Sequence, residues 1–268
     1  MNSIQAVIFD WAGTVIDFGS CGPIAAFVAA FEAVDFHITE TEARAPMGRG
    51  KRDHIASVLR HADVADRWRR QHGCDADDVV VDEIYQRFLP LQLDVITQHC
   101  QLIDGVAEVC DRLASRGIKI GSTTGYTREI MDRIAPIAAR AGFEPLHIGT
   151  SSDPCPGRPA PWLIYRNCEA MNVYPISGVV KVDDTTVGIE AGRNAGCRTV
   201  GVSGSGNLMG LRQADYEALE PGERARRVQI AERRLRDAGA HDVIETVADL
   251  PACLDRLEAG AAPIEVAP

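Results

Sequence analysis

Short strand-like runs alternate with helical segments along most of this chain, and one long interval interrupts the alternation. The β-branched runs are Ala6–Phe9, Ile118–Gly121, Pro145–Gly149, Gly178–Val182, Thr199–Val202 and Asp242–Thr246. The helical segments between them include Val106–Arg116, Thr127–Ala141, Trp162–Met171 and Gly188–Ala195. This alternation predicts an α/β fold with a Rossmann-like parallel sheet covered by helices on both faces. The active site of such a sheet lies at the carboxyl ends of its strands.

The interval between the first and second strands is different, because it contains amphipathic helical stretches and no convincing strand. A crossover between parallel strands needs only about 10 to 12 residues, and this interval has roughly eighty. We therefore predict an inserted all-helical cap domain at residues 21–100. The α/β catalytic core domain would comprise residues 1–20 and 101–268. The predicted linkers between the two domains are Asp17–Gly22 and Gln101–Gly105.

Composition limits the classes of partner. With 268 residues, 46% of them hydrophobic, the chain can bury a sizeable core. A net charge of -10 with no basic block argues against nucleic acid and anionic membranes, although it does not exclude a small anion. We see neither a run of about 20 apolar residues nor a signal peptide, and we expect a cytoplasmic protein with no membrane partner. The eight cysteines form no Cys-x-x-Cys pair, so reduced thiols are expected.

Chemically distinctive side chains follow four of the predicted strand regions. Asp10 ends the first strand, Thr124 follows the second, Arg158 lies on a loop between prolines, and Asp183 and Asp184 end an apolar strand. Taken singly, these residues have ordinary explanations as helix caps or a surface arginine. Together they offer a carboxylate, an anion-binding hydroxyl, a cation and oxygen ligands that suit magnesium.

The order and spacing of these residues resemble the four-motif signature of the haloacid dehalogenase superfamily. The resemblance extends from Gln5 to about Leu254. It implies a haloacid dehalogenase-like fold in which Asp10 attacks phosphorus and forms an aspartyl phosphate, while Thr124 and Arg158 hold the phosphoryl oxygens. The implied ligands of a Mg2+ cofactor are Asp10, the backbone carbonyl of Ala12 and Asp184, with Asp183 assisting.

The first motif departs from that of most phosphatases of this superfamily. They read Asp-x-Asp-Gly-Thr, and the second Asp protonates the leaving alcohol, whereas this chain has Ala12 there. Alanine cannot act as a general acid. In the predicted cap, Lys51 precedes His54 by three residues, so both share a helix face. A solvated lysine with an incidental histidine is the ordinary alternative, but an iminium formed from Lys51 and an aldehyde would accept electrons from a breaking carbon–phosphorus bond.

With this pairing, the resemblance narrows to the phosphonatase family. The matching segments are Phe9–Thr14, Pro46–Gly48 followed by Lys51 and His54, Ile118–Glu129, Gly157–Trp162 and Gly192–Gly196. The resemblance implies cleavage of a small phosphonate aldehyde, phosphonoacetaldehyde, to acetaldehyde and phosphate. Lys51 would form the Schiff base and His54 would shuttle protons. The implied substrate-binding residues are Met47, Gly125, Tyr126 and Thr14. The resemblance also implies a homodimer, for which the apolar cap could serve as the dimer face.

Lys51 must be neutral to attack an aldehyde. We therefore expect its pKa to be lowered by closure of the cap and by nearby Arg49 or Arg52.

Three positions depart from the family pattern. Val15 replaces a threonine, Arg49-Gly50 replaces an apolar pair, and Gly188 stands where many superfamily members carry another acid of the metal shell. Either Asp183 fills that role or magnesium affinity is weak. Two alternative functions stay open: a phosphate-ester hydrolase or mutase of the same superfamily, and a catalytically silent phosphate-binding homologue.

Overall fold

A parallel six-stranded sheet forms the centre of the computed structural model, which describes residues 4–260. The strands are β1 (Ala6–Phe9), β2 (Lys119–Thr123), β3 (Ile148–Gly149), β4 (Val179–Asp183), β5 (Arg198–Val202) and β6 (Asp242–Ile244). Their spatial order is β3-β2-β1-β4-β5-β6, so β1 lies in the interior between β2 and β4. The predicted α/β fold class is confirmed. The predicted third strand, Pro145–Gly149, is too long by three residues, because β3 begins only at Ile148. Pro145 itself has no N–H to donate to a ladder.

Five helices between β1 and β2 form the helical cap. They are α1 (Gly22–Glu32), α2 (Glu40–Arg44), α3 (Lys51–Arg60), α4 (Ala62–His72) and α5 (Asp78–Ile96), with a 3-10 turn at Thr97–His99. The cap has its own apolar cluster, in which the Phe27 ring stacks on Phe88 with centroids 4.2 Å apart. Each fully buried phenylalanine contributes about 2 kcal/mol to stability. The cap helices therefore have a source of stability that is separate from the sheet.

In the rest of the described chain, seven helices accompany the sheet. They are α6 (Val106–Ser115), α7 (Arg128–Arg140), α8 (Trp162–Met171), α9 (Thr186–Ala195), α10 (Gln213–Glu217), α11 (Pro221–Asp237) and α12 (Leu250–Ala259). Successive side chains of β1 enter different apolar clusters, because alternate residues of a strand point to opposite faces. Val7 and Phe9 pack with residues of α6, α7 and α12, whereas Ala6 and Ile8 pack with residues of α8 and α9. Within residues 4–260, no helix is both long and apolar enough to cross a membrane.

The two chain segments that connect the cap to the sheet run side by side. Ile16 forms an antiparallel bridge with Leu102. Asp17 accepts hydrogen bonds from the backbone amides of Cys21 and Gly22 at 3.1 and 3.0 Å, so it caps the start of α1. Its carboxylate also lies 3.1 Å from His99 Nδ1 on the returning segment. The cap is thus joined to the core through two linkers that contact each other.

Candidate active site

The carboxyl ends of β1 and β4 bring three acidic side chains together. Val182 pairs with Phe9 in the sheet, so Asp10, Asp183 and Asp184 emerge at the same level. One carboxylate oxygen of each of these three residues lies within 4.8 Å of the others, and all three side chains are buried. Buried carboxylates this close repel one another unless cations or protons compensate them. The triad is the place in the described chain where a metal ion could bind.

The pKa values of Asp10 and Asp184 indicate what kind of ligand this triad could bind. Burial, reinforced by the charges of Asp10 and Asp183, raises the pKa of Asp184 well above its ordinary value. Burial also raises the pKa of Asp10, although Arg158 opposes that rise. A hard divalent cation would relieve the same repulsion that a proton relieves, and oxygen donors are the ligands that Mg2+ prefers. The donor set therefore fits magnesium.

Two buried cations already partly compensate the triad. Arg158 Nη2 donates to Asp10 Oδ1 at 2.5 Å and to the carbonyl and hydroxyl of Thr123 at 2.6 and 2.8 Å. Lys181, which the sequence reasoning missed, is fully buried, and its Nζ lies 2.8 Å from Asp183 Oδ2. Burial raises the pKa of Asp183, but the charges of Arg158 and Lys181 outweigh this effect and lower it. A lysine inside an apolar strand, two residues before an acidic pair, was the available signal.

Asp183 occupies the space that a side chain at position 188 would need. A Cβ atom on Gly188 would lie 2.0 Å from the Asp183 carboxyl carbon. Asp183 Oδ1 accepts hydrogen bonds from the amide and the hydroxyl of Thr185, at 3.0 and 2.7 Å. Asp183 in this position and any side chain at 188 exclude each other. The missing acid at Gly188 and the additional acid at Asp183 are thus two aspects of one arrangement.

Both oxygens of Asp184 have hydrogen-bond donors. Thr14 Oγ1 donates to Asp184 Oδ1 at 3.2 Å, and the backbone amide of Asn207 donates to Oδ2 at 2.7 Å. Thr14 was predicted to bind substrate, but its buried hydroxyl is directed to Asp184 and is outside the described lining of the cavity. Asn207 was not predicted, because its donor is a backbone N–H, which almost every residue type has.

On the cap side, Lys51 begins α3 and is buried against aromatic rings. Its Nζ lies 4.7 Å from the Tyr126 ring centroid and 5.4 Å from that of Phe27. Burial lowers the pKa of Lys51 to about 7, with Asp10 opposing and Arg158 reinforcing the shift. The predicted decrease is therefore present, but its attribution to Arg49 or Arg52 is wrong. Arg52 points away from the site and pairs with Asp78 and Asp82 on the cap surface, and the dominant cause is burial.

His54 lies on the same helix and is fully buried. Its Nε2 is 2.8 Å from the carbonyl oxygen of Ala43, so Nε2 carries the proton. Its ring stacks on Phe27 with centroids 3.8 Å apart. Nδ1 has no hydrogen-bond partner within the described chain. Burial and the charge of Lys51 lower the pKa of His54 well below its ordinary value, so the ring is neutral with a lone pair on Nδ1.

A small cavity of about 20 Å³ lies between the core and the cap. Its lining includes most of the predicted site residues, namely Asp10, Ala12, Met47, Lys51, Thr124, Gly125, Tyr126 and Arg158. Ser20 also lines it, which the sequence did not indicate, and its buried hydroxyl has no partner among residues 4–260. A Cβ atom on Gly125 would lie 2.4 Å from the carbonyl oxygen of Arg49. Only glycine permits the cap backbone to approach the core this closely, and the cap is shut over the acids.

The fold and this site define a haloacid dehalogenase-like hydrolase, and the family model of that description matches residues 4–196. The chain is 46% identical to a phosphonoacetaldehyde hydrolase from Paraburkholderia xenovorans, over 97% of each protein. It is 40% identical to one from Bacillus cereus, over 95% of this chain and 97% of that protein. The crystal structure of a phosphonoacetaldehyde hydrolase-like protein from Oleispira antarctica superposes with a TM-score of 0.93 at 40% identity, over 97% of this chain and 96% of that one. The chain therefore belongs to the phosphonoacetaldehyde hydrolase family.

Proposed function

We propose that this protein hydrolyses the carbon–phosphorus bond of phosphonoacetaldehyde to acetaldehyde and phosphate, using Lys51 and Asp10 from opposite sides of one cavity. The observation that supports this proposal most strongly is the buried Lys51, whose pKa is about 7 and which shares a cavity with Asp10. Burying an amine is costly. A hydrolase of simple phosphate esters would have no use for it.

The first half of the reaction belongs to the cap. Neutral Lys51 attacks the aldehyde carbon, and loss of water together with uptake of one proton from solvent gives a protonated imine. His54 Nδ1, which has a free lone pair, accepts and returns the protons that this condensation moves. Tyr126, Met47 and Gly125 line the cavity and would surround the two-carbon unit.

The second half belongs to the core. An Asp10 oxygen attacks phosphorus, and the electrons of the carbon–phosphorus bond move into the iminium to give an enamine on Lys51. Protonation of the enamine carbon and hydrolysis of the imine release acetaldehyde, and water releases phosphate from the aspartyl phosphate. Because the enamine is a stabilised leaving group, no acid is needed at Ala12.

Several groups could supply hydrogen bonds or positive charge to the phosphoryl oxygens. Thr124 Oγ1 accepts a hydrogen bond from the Tyr126 amide at 3.1 Å, which leaves its own hydroxyl proton for a phosphoryl oxygen. Arg158 Nε has no partner in the described part of the chain and offers another donor. Mg2+, held by Asp10, the Ala12 carbonyl and Asp184 with Asp183 assisting, would supply further positive charge. In this proposal Thr14 orients Asp184 instead of touching the substrate.

The same proposal includes the boundaries of the two domains. We place the cap at residues 21–100 and the core at residues 1–20 and 101–268, of which residues 1–3 and 261–268 lie outside the described residues. The separate apolar clusters and the bridge between Ile16 and Leu102 support this division. A homodimer through the cap and a cytoplasmic location stay predictions.

The test is imine trapping, for which this chain provides internal controls. It has three lysines, Lys51, Lys119 and Lys181. Protein treated with phosphonoacetaldehyde and borohydride should gain mass on the peptide that contains Lys51. The peptide that contains Lys119, whose Nζ donates to the Met171 carbonyl oxygen at 2.6 Å, should stay unmodified.

Acetaldehyde and phosphate are measured in parallel, with and without Mg2+. Acetaldehyde release without any adduct at Lys51 would defeat the imine step. Phosphate release from ordinary esters, with none from phosphonoacetaldehyde, would favour the esterase or mutase alternative. Activity towards neither substrate would favour a silent phosphate-binding homologue.

A further inference from the structure

Arg44, the last residue of α2, connects the cap to the first linker, Asp17–Gly22. Its Nη1 donates to the carbonyl oxygens of Gly19 and Ser20 at 2.8 and 3.3 Å. Gly19 in turn donates its amide to the Ser205 carbonyl oxygen at 2.7 Å, on the loop that follows β5. One guanidinium of the cap is thus bound to the first linker, and that linker is bound to a core loop.

The same arginine also binds this core loop directly. Arg44 Nη1 donates to Asn207 Oδ1 at 3.3 Å, and Asn207 Nδ2 donates to the Arg44 carbonyl oxygen at 3.3 Å. Both ends of the Asn207 amide therefore contact a single cap residue. Each bond is long and individually weak, but the reciprocal pair fixes the orientation of Asn207 relative to α2.

Asn207 is also the residue whose backbone amide holds Asp184 Oδ2 at 2.7 Å. The preceding Gly206 packs so closely on Asp184 that a Cβ atom there would lie 2.6 Å from the Asp184 Cβ. A shift of this loop would therefore move or release Asp184. The side chain of Asn207 therefore contacts the cap, and its backbone amide holds Asp184 of the triad.

We propose that Arg44 is a positioning residue that couples closure of the cap to the geometry of Asp184. With the cap shut, Arg44 holds Asn207, and Asn207 holds Asp184 in the orientation that binds the metal. Because coupling between two binding events is reciprocal, Mg2+ at the triad then favours the shut cap. This inference rests on the metal role assigned to Asp184 in the proposed function.

The test measures Mg2+ affinity by calorimetry without substrate. Three variants break the link: Arg44→Gln, Asn207→Ala and the double variant. Asn207→Ala removes both side-chain contacts and keeps the backbone N–H that binds Asp184. Each single variant should weaken Mg2+ binding about tenfold, the lower end of the loss seen for outer-shell partners. The affinity lost in the double variant should be clearly smaller than the two single losses added together, because both substitutions act on the contact between Arg44 and Asn207.

The matched control is Arg67→Gln. Arg67 pairs with Glu42 of the same helix α2 at 2.9 Å, so its loss loosens that helix from the cap side. Mg2+ affinity should be unchanged in this control. Mg2+ should also slow hydrogen exchange of the linker at residues 19–21 in the unmodified protein and not in Asn207→Ala.

Equal Mg2+ affinity in the unmodified protein, Arg44→Gln and Asn207→Ala would overturn the coupling. Equal losses in Arg67→Gln would overturn it as well, because they would reflect general loosening of α2. If Arg44→Gln fails to fold, Asn207→Ala decides the question alone. Weakened Mg2+ binding in a protein that does not cleave phosphonoacetaldehyde would support the coupling and defeat the proposed reaction. A protein without any Mg2+ affinity would defeat both.

Discussion

The core and the cap hold their reactive groups in opposite ways. In the core, Arg158 donates to Asp10 at 2.5 Å and pairs with Asp183 at 3.3 Å, and buried Lys181 has a carboxylate partner at 2.8 Å. In the cap, Lys51 lies against the faces of aromatic rings, and its pKa falls to about 7. The core partly compensates its buried charges by supplying partners of opposite charge. The cap keeps an amine neutral by withholding them.

This difference indicates why two lysines in one molecule can have different chemistry. Lys181 and Lys51 are both buried, and burial lowers the pKa of each. Lys181 has Asp183 in direct contact, whereas Asp10 opposes the shift of Lys51 only through its charge. A direct carboxylate partner favours a structural cation, and its absence favours a nucleophile.

Lys51→Arg is the most severe test of the comparison. Arginine stays protonated and cannot condense with an aldehyde, so kcat should fall by about 10^4-fold or more. Borohydride labelling of the peptide should disappear, while calorimetric Mg2+ affinity should be retained because the triad is intact. Appreciable turnover by this variant would show that the cap amine is not a nucleophile.

Asp10→Asn should abolish phosphoryl transfer and leave imine formation at Lys51 intact. Turnover should again fall by about 10^4-fold, because the amide cannot accept the phosphoryl group. Labelling of Lys51 by substrate and borohydride should persist. Since the charge of Asp10 raises the pKa of Lys51, labelling should also extend to lower pH than in the unmodified protein. Complete loss of labelling would mean that the two halves are not independent.

Gly188→Ala tests the compensated arrangement of the core. The added Cβ would displace Asp183 and break its contact with Lys181. Mg2+ affinity should fall about 10- to 100-fold. Gly222→Ala is the matched control, because Gly222 also lies near the start of a helix and its Cβ would meet no atom within 4 Å.

The exchange variant Asp183→Gly/Gly188→Asp returns a carboxylate to the same space from the other position. It should recover part of the affinity that Gly188→Ala loses. Unchanged affinity in Gly188→Ala would contradict the view that Asp183 takes the place of a side chain at 188.

The pH dependence of kcat/KM is the mildest test. Protonated Lys51 cannot attack, and with a pKa of about 7 its neutral fraction rises as the pH increases through 7. The value of kcat/KM should therefore be about fivefold lower at pH 6 than at pH 7. The rate of borohydride labelling should follow the same curve. A midpoint near the ordinary lysine pKa would contradict the role of burial in the cap.

Features that depend on local pattern could be predicted from the sequence. The ends of β1, β2 and β4 placed Asp10, Thr124 and the acidic pair, because strand periodicity and motif residues are local properties. Lys51 and His54 could be paired for the same reason, since both lie on one helix.

Features that depend on tertiary contacts could not be predicted. Arg52 lies next to Lys51 in the chain, yet it is attracted outward by acids of α5, so the local cations gave the wrong cause for the pKa. The role of Asn207 comes from its backbone and from a cap residue distant in sequence. The sequence shows that position 188 has no acid. That the Asp183 carboxylate occupies the space of a side chain at 188 depends on how α9 packs on β4, which the sequence does not show.

The close approach of Gly125 to Arg49 has a kinetic consequence. A cavity of about 20 Å³ has room for roughly one water molecule, which is smaller than any phosphonate aldehyde. We therefore expect reactant entry and product escape to take place in a more open conformation, with at least one opening in each cycle. The frequency of that opening sets an upper limit on turnover, so a more viscous solvent should slow a fast substrate more than a slow one.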